Sequence, residues 1–322
     1  MTAHPAISGI PLVLGGNVFG WTATGDEGFA VLDAFYEAGG RMIDTADVYS
    51  AWIPGHVGGE SETYIGQWLA SRGVRKDMRI HTKTGMLSAA KPASPGDMGD
   101  PGLYAPEKVL EHLDASLARL QTDYCDLYYA HRDFAELEVG QIVEAFDGAM
   151  KTGKVKSLGA SNFTAPRLLA ALDYADANAL TPFIVLQNQY NLVARDAYGP
   201  ELQQLCVERG IAMLPFFGLA AGYLTGKYRE PVDFETTRGY RARDYAEAGP
   251  PVLAAMDAIA AETGASLPAI ALAWLVRQPG IPAPLASARN VEQLLTLLEF
   301  TRVELTEAQL ARLTGALQVD AQ

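Results

Sequence analysis

Short apolar runs and longer amphipathic stretches alternate from one end of the chain to the other. Strand-like runs fall at residues 12–14, 42–44, 79–83, 126–131, 156–161, 183–187, 211–216 and 281–285. Between them the apolar positions take a helical spacing. It is clearest where Leu110, Leu113, Leu117 and Leu120 recur at i, i+3, i+7 and i+10 and so share one helix face. Two further helices announce their starts: Thr164-Ala165-Pro166 and Ser266-Leu267-Pro268 each set a capping hydroxyl ahead of an early proline. Strands separated by helices call for a parallel sheet, and eight such units close naturally into a barrel. The pattern predicts an α/β fold, a (β/α)8 TIM barrel with outer helices, as a single domain over residues 1–322.

Three stretches interrupt the rhythm, at 50–59, 87–103 and 229–250, each rich in glycine, proline and charge and each following the carboxyl end of a strand. Loops of that length usually carry function, and here they are expected to crowd one mouth of the barrel. Composition narrows the partners. A net charge of −13 argues against nucleic acid or an anionic membrane as the main partner. The cysteines, Cys125 and Cys206, stand in no paired spacing, so no disulfide frame and no zinc site is expected. The first residues lack a cationic start with an apolar segment behind it, and no apolar run approaches ~18 residues. The expectation is a soluble, cytoplasmic protein acting on a small molecule, with its oligomeric state left open.

The candidate chemistry lies at strand ends. Met42 and Ile43 read as the close of a buried strand, the chain turns polar at Asp44, and Tyr49 follows in the loop. Lys83 and His131 end two later strand-like runs in the same way. The carboxyl ends of strands are where α/β enzymes hold their reactive groups. In an eight-strand barrel these ends belong to strands two, three and four, which are neighbours. A lysine there is costly without a carboxylate, so Lys83 and Asp44 read as a buried pair. A phenol normally releases its proton near pH ~10. Lys83 and His131 beside Tyr49 are expected to stabilise the phenolate and ease the transfer. The set suits protonation of a carbonyl oxygen while something else delivers hydride to the carbon. Each residue also has an ordinary reading, Asp44 as a turn cap, Tyr49 as a pocket wall and His131 as a satisfied core histidine. Their convergence on adjacent strand ends favours the chemical one.

An ordered series of motifs then resembles one family. Asp44-Thr45-Ala46 with Tyr49, Gly59-Glu60-Ser61-Glu62, His81-Thr82-Lys83, Leu127-Tyr128-Tyr129-Ala130-His131-Arg132, Gly159-Ala160-Ser161-Asn162-Phe163 and Gln187-Asn188-Gln189-Tyr190 are similar to those of the aldo-keto reductases, over residues 14–294. The resemblance implies a TIM barrel, NADPH-dependent reduction of aldehydes or ketones, and a tetrad of Asp44, Tyr49, Lys83 and His131. In that tetrad Tyr49 is the acid, Lys83 and Asp44 tune it, and His131 orients the carbonyl. It implies further that Ser161 and Asn162 hold the nicotinamide carboxamide, with Gln187 below it and Gly16 and Asn17 in the loop after the first strand. Phe216 stands where the family usually has a tyrosine stacked on the nicotinamide, and it keeps the flat apolar face. Phe217 and Gly218 replace the usual Ser-Pro. The stretch from Leu219 through Gly222 to Lys227 fits the family's next loop. The segment from Ser287 to Leu294 resembles the one that clasps the adenosine phosphate, with Arg289 toward a 2′-phosphate and Gln293 beside it; Arg289 as a solvated helix-start arginine is the plainer reading. Thr296 and Leu297 replace a polar pair the family often has.

Trp52, Met86 and Phe134, with Tyr104 and Tyr223, follow strand ends and are candidate walls for an aromatic or alicyclic carbonyl substrate. His56 lies in the same insertion as Trp52. Competing readings fall on spacing. Gly222 to Lys227 superficially suggests a P-loop, but the first glycine is one residue too close and Tyr228 replaces the required Ser or Thr. With no G-x-G-x-x-G present, a Rossmann domain is disfavoured. A barrel hydrolase built on Asp44 lacks a second acid at a matching strand end. The remaining rival is a regulatory protein that senses a nicotinamide cofactor and turns over negligibly.

Overall fold

The computed structural model describes residues 4–87, 99–235 and 239–317. Parts of two long loops predicted above, 88–98 and 236–238, lie outside the described residues. Strands and helices alternate: β1 (Val13–Gly15), α1 (Gly25–Glu37), β2 (Met42–Asp44), α2 (Glu60–Arg72), β3 (Arg79–Thr84), α3 (Pro106–Leu120), β4 (Leu127–Ala130) and α4 (Val139–Lys151) make the first half. The second half holds β5 (Leu158–Ser161), α5 (Ala165–Asn178), β6 (Phe183–Gln187), α6 (Pro200–Arg209), β7 (Ala212–Met213), a single turn α7 (Gly239–Ala242), α8 (Pro250–Thr263), α9 (Leu267–Leu275), β8 (Leu285–Ala286), α10 (Val291–Leu298) and α11 (Glu307–Ala316). All strand pairs are parallel, in the order β7-β6-β5-β4-β3-β2-β1-β8. Leu285 N donates to Pro215 O at 3.0 Å, which joins the two ends of the sheet. This is the expected (β/α)8 TIM barrel.

The last two strands are shorter than, or displaced from, the stretches the apolar pattern suggested. Proline explains both. Pro215 has no N–H to continue the β7 ladder, and Pro282 and Pro284 remove two donors ahead of β8, so pairing begins only at Leu285. The expected starts of α5 and α9 are found, with Pro166 and Pro268 in their first turns, yet neither Thr164 nor Ser266 makes a side-chain cap. Side-chain caps form instead at Glu138, Asn290 and Thr306.

Period-two alternation sorts the strand residues into two cores. Leu14, Ile43, Ile80, Tyr128, Ala130, Leu158, Leu186 and Met213 face outward and pack with helix residues such as Trp68, Phe146 and Trp274. Val13, Met42, Leu127, Tyr129, Val185, Ala212, Leu214 and Leu285 face inward and fill the barrel. Ala6 and Ile7 join this inner cluster, so the segment before β1 packs into the barrel interior, an element the apolar pattern did not reveal. At and just past the carboxyl ends of the strands come Asp44, Lys83, His131, Ser161, Gln187 and Ser287, with Phe216 the aromatic residue among them. Inward apolar layers thus give way to an inward polar layer at the carboxyl-end mouth. Among the described residues no single helix is long and apolar enough to cross a membrane.

Candidate active site

The loop that carries Tyr49 is held from both sides of the sheet. Gly16 N donates to Asp44 O at 2.7 Å, Thr45 N to His81 O at 2.8 Å and Asp47 N to Lys83 O at 3.2 Å, extending the ladder one turn past β2. A Cβ at Gly16 would stand 2.7 Å from Asp44 O, so only glycine allows this approach. On the outer face the buried Asp47 accepts from Thr84 Oγ1 at 2.7 Å and pairs with His112 Nδ1 at 3.1 Å. Buried Glu62 accepts from Thr82 Oγ1 at 2.5 Å and Arg119 Nε at 2.7 Å. Fixed partners hold both carboxylate oxygens of Glu62 and the Oδ2 of Asp47, which is what makes their burial tolerable, while Asp47 Oδ1 is buried without a partner. Ser50, with φ 78°, reverses the chain just after Tyr49.

Within the mouth, Asp44 and Lys83 are both fully buried and meet at 2.5 Å between Oδ2 and Nζ. The Lys83 ammonium also donates to Thr45 O and to the Tyr49 hydroxyl oxygen, each at 2.9 Å. Its three hydrogens therefore have three acceptors. Tyr49 in turn donates to Asp44 Oδ2 at 3.1 Å, and Gln187 Nε2 donates to Asp44 Oδ1 at 2.9 Å. The His131 ring stands 6.1 Å from that of Tyr49, edge toward face, and its Nδ1 is buried without a hydrogen-bond partner.

Protonation follows from burial. Loss of water lowers the affinity of Lys83 for its proton, and the Asp44 carboxylate opposes that fall. Burial, then the Lys83 charge, holds the His131 imidazole well below its usual range, so the ring is neutral. For Tyr49 the expected sign is corrected. Burial, then the neighbouring Asp44, pushes the hydroxyl well above the ordinary phenol range, so it keeps its proton at any ordinary pH. The Lys83 ammonium on the phenolic oxygen is a neighbour that would favour the phenolate if the proton left.

The expected cofactor residues form two hydrogen-bonded groups. Ser161 Oγ donates to Gln187 O at 2.8 Å, and Asn162 Nδ2 reaches His131 O at 3.0 Å and Ser161 Oγ at 3.1 Å. Through Gln187 this group is tied to Asp44, so the amide and the acid pair share one network. The second group spans the β1–β8 seam. Asn17 Oδ1 accepts from Ser287 Oγ at 2.5 Å, and a Cβ at Gly15 would stand 2.3 Å from that hydroxyl. At the start of α10, Gln293 Oε1 accepts from Arg289 N at 3.1 Å and Asn290 caps Gln293 N at 2.9 Å. Phe216 and Phe217 stand edge to face at 5.2 Å, and the backbone then turns tightly after Leu219, with Phe217, Ala220, Ala221 and Gly222 all at positive φ. The polar mouth, the unpartnered His131 nitrogen and the aromatic face of Phe216 fit a nicotinamide group. No side chain here can supply hydride.

Of the expected walls, Trp52 and Met86 come to the site, half-buried with Tyr49, Ala51 and Leu87 around Ala46 and Val48. The Trp52 ring meets that of Tyr49 at 6.0 Å. Phe134 does not: it is buried edge-on to Tyr104 at 5.1 Å, and the Tyr104 hydroxyl is occupied by Arg132 O at 2.8 Å. Tyr223 stacks on Phe234 at 6.5 Å within the loop after β7, and His56 pairs with Glu60 at 3.6 Å. His81 and Tyr129, named above only as members of motifs, are the inward residues two positions before Lys83 and His131; strand alternation is the signal that singles them out.

Comparison with known proteins bears on the family and the fold. The Aldo/keto reductase family matches residues 11–318. Norsolorinic acid reductase of Emericella nidulans is 30% identical over 317 residues, 96% of this chain and 79% of that one. The aryl-alcohol dehydrogenase [NADP(+)] of Phanerodontia chrysosporium is 29% identical, over 88% of this chain and 74% of its own. A crystal structure of a thermostable aldo-keto reductase in complex with the inhibitor epalrestat superposes with a TM-score of 0.74 at 23% identity, covering 95% of this chain and 94% of that one.

The buried imidazole of His81 gives a stability test. Burial pushes its pKa down to about 4 from 6.5, against the opposing pull of Asp44. Between those values the unfolded chain binds a proton that the folded chain refuses, so stability is full above about 6.5 and falls as pH drops toward about 4, by up to roughly 3 kcal/mol. Urea unfolding over this range is expected to show a shallower acid loss for His81→Asn by that amount. Parallel curves would mean that the imidazole is charged in the fold.

Proposed function

Because the chain belongs to the aldo/keto reductase family, we propose that it reduces aldehydes or ketones to alcohols, reversibly, with NADPH, and with Tyr49 as the acid. The observation that carries this reading is the closed triangle of Asp44, Lys83 and Tyr49, with sides of 2.5, 2.9 and 3.1 Å, at the mouth of the barrel. A bound nicotinamide supplies the hydride. The chain's own groups handle the oxygen. A carbonyl oxygen placed between the neutral His131 ring and the Tyr49 hydroxyl, whose rings stand 6.1 Å apart, would accept a hydrogen bond from each. The Tyr49 proton, aimed at Asp44 Oδ2, turns to the carbonyl oxygen, and the Lys83 ammonium stays on the phenolic oxygen to balance the charge left behind. Asp44 holds that ammonium in place, and Gln187 holds Asp44. In the reverse direction the phenolate takes the alcohol's proton.

Ser161, Asn162 and Gln187 would hold the nicotinamide amide, Phe216 its face, and Asn17, Ser287, Arg289 and Gln293 the adenosine end, with Gly16, Phe217, Leu219 and Gly222 supplying close backbone. The substrate proposed is an aryl aldehyde or ketone. Trp52 and Met86 give an apolar, partly aromatic wall beside Tyr49, and relatives include a norsolorinic acid reductase and aryl-alcohol dehydrogenases. Both cysteines are buried and unpaired, which supports a reducing, cytoplasmic setting.

With a panel of aryl aldehydes and NADPH, Tyr49→Phe is expected to lower kcat/KM by about 10²–10⁴ while NADPH binding holds. Near-normal turnover in that variant would remove Tyr49 as the acid. Tight NADPH binding by the wild type with no turnover of any carbonyl would make the chain a cofactor sensor instead. Arg289→Ala is expected to weaken NADPH by about tenfold or more and leave NADH nearly untouched. Equal losses for both in fluorescence titrations would remove the 2′-phosphate contact.

A further inference from the structure

The Lys83 ammonium spends its three hydrogens on Asp44, Thr45 and Tyr49. Two aromatic rings flank it as well. Its Nζ lies over the Tyr49 ring at 4.7 Å from the centroid and over the Tyr129 ring at 5.6 Å. Tyr129 has no place in the mechanism above, yet it is fully buried and sits in register with Lys83 on the neighbouring strand. On the other side, Tyr129 is in register with Gly159, where a Cβ would meet the ring Cδ1 at 2.4 Å. Three strands therefore present, at one level of the barrel interior, a cation, an aromatic face and a glycine that leaves room for it. His81, inward on β3 two residues before Lys83, meets the Tyr129 ring edge to face at 6.3 Å.

We propose that Tyr129 is a positioning residue: its ring face supports the Lys83 ammonium in the dry barrel, keeping it charged and aimed at the Tyr49 hydroxyl, and Gly159 exists to seat that ring. An aromatic face offers a buried cation partial negative charge without a hydrogen-bond acceptor, which is what a site with every N–H already engaged can still use. A hydroxyl acceptor in its place would compete with Tyr49 for the ammonium. The inference rests on the reading of Lys83 and Tyr49 given above.

The test separates ring from hydroxyl. Tyr129→Phe keeps the ring, Tyr129→Leu removes it, and Gly159→Ala crowds it. Two readouts are followed in each: the pH profile of kcat/KM for carbonyl reduction, and the titration of Lys83 itself by NMR of protein labelled with [13Cε]lysine, its resonance identified by its loss in Lys83→Arg. Tyr129→Phe is expected to leave both midpoints in place. Tyr129→Leu is expected to lower the Lys83 midpoint, and to bring forward the alkaline limb of the profile, by about one pH unit; Gly159→Ala moves both in the same direction. Should Tyr129→Leu fail to fold, Tyr129→Met carries the same expectation. Midpoints unchanged in the leucine or methionine variant, or a phenylalanine variant that shifts as leucine does, would overturn the proposal. If the wild type reduces no carbonyl, the proposed reaction fails, and the Lys83 titration still decides the role of Tyr129.

Discussion

A lysine ammonium and an aspartate carboxylate, both without access to water, meet at 2.5 Å inside the barrel, and the carboxyl-end mouth is arranged around that contact. Neither charge is tolerable there alone, since stranding one costs several kcal/mol. Together they need further partners for the remaining hydrogens and lone pairs. Thr45 O and the Tyr49 hydroxyl complete the lysine, and Tyr49 and Gln187 complete the aspartate. Tyr49 belongs to both shells. Its position and its chemistry are therefore consequences of satisfying a buried ion pair, and the same condition recruits Gln187 into the network that reaches Ser161 and Asn162.

The barrel makes this possible through period two. An inward residue is followed two positions later by another inward residue, so the inward apolar residues, among them Met42, Leu127 and Val185, give way toward the mouth to residues that are mostly polar. The outward faces of the same strands serve a second purpose. Thr82 and Thr84 reach out to Glu62 and Asp47, and Arg119 and His112 from α3 pair with those carboxylates. The loop from Thr45 to Tyr49 is thus fixed from inside and outside the sheet, and the Tyr49 side chain on it is held as a strand residue would be.

Much of this was legible in the chain. Apolar runs marked all eight strands, and polar residues closing three of them marked Asp44, Lys83 and His131, because strand alternation and strand polarity are local properties. Pairing was not local. Whether 211–216 and 281–285 make full strands depends on which N–H groups a neighbour needs, and Pro215, Pro282 and Pro284 decide it against them. Phe134 reads as a pocket wall until Tyr104 is found against it. The Tyr49 shift runs opposite to the expectation for a related reason: burial, then Asp44, pushes the hydroxyl upward, and burial is a product of packing rather than of local sequence. Tyr129 and Gly159 matter only as a pair across two strands, which no single stretch displays.

The central claim is that the buried charges of Asp44 and Lys83 depend on each other. A double-mutant cycle in unfolding free energy, with Asp44→Asn, Lys83→Met and both together, measures that dependence. Each single change is expected to cost about 3–5 kcal/mol, and the double change to fall short of their sum by about 2 kcal/mol. Single losses that simply add would contradict the account.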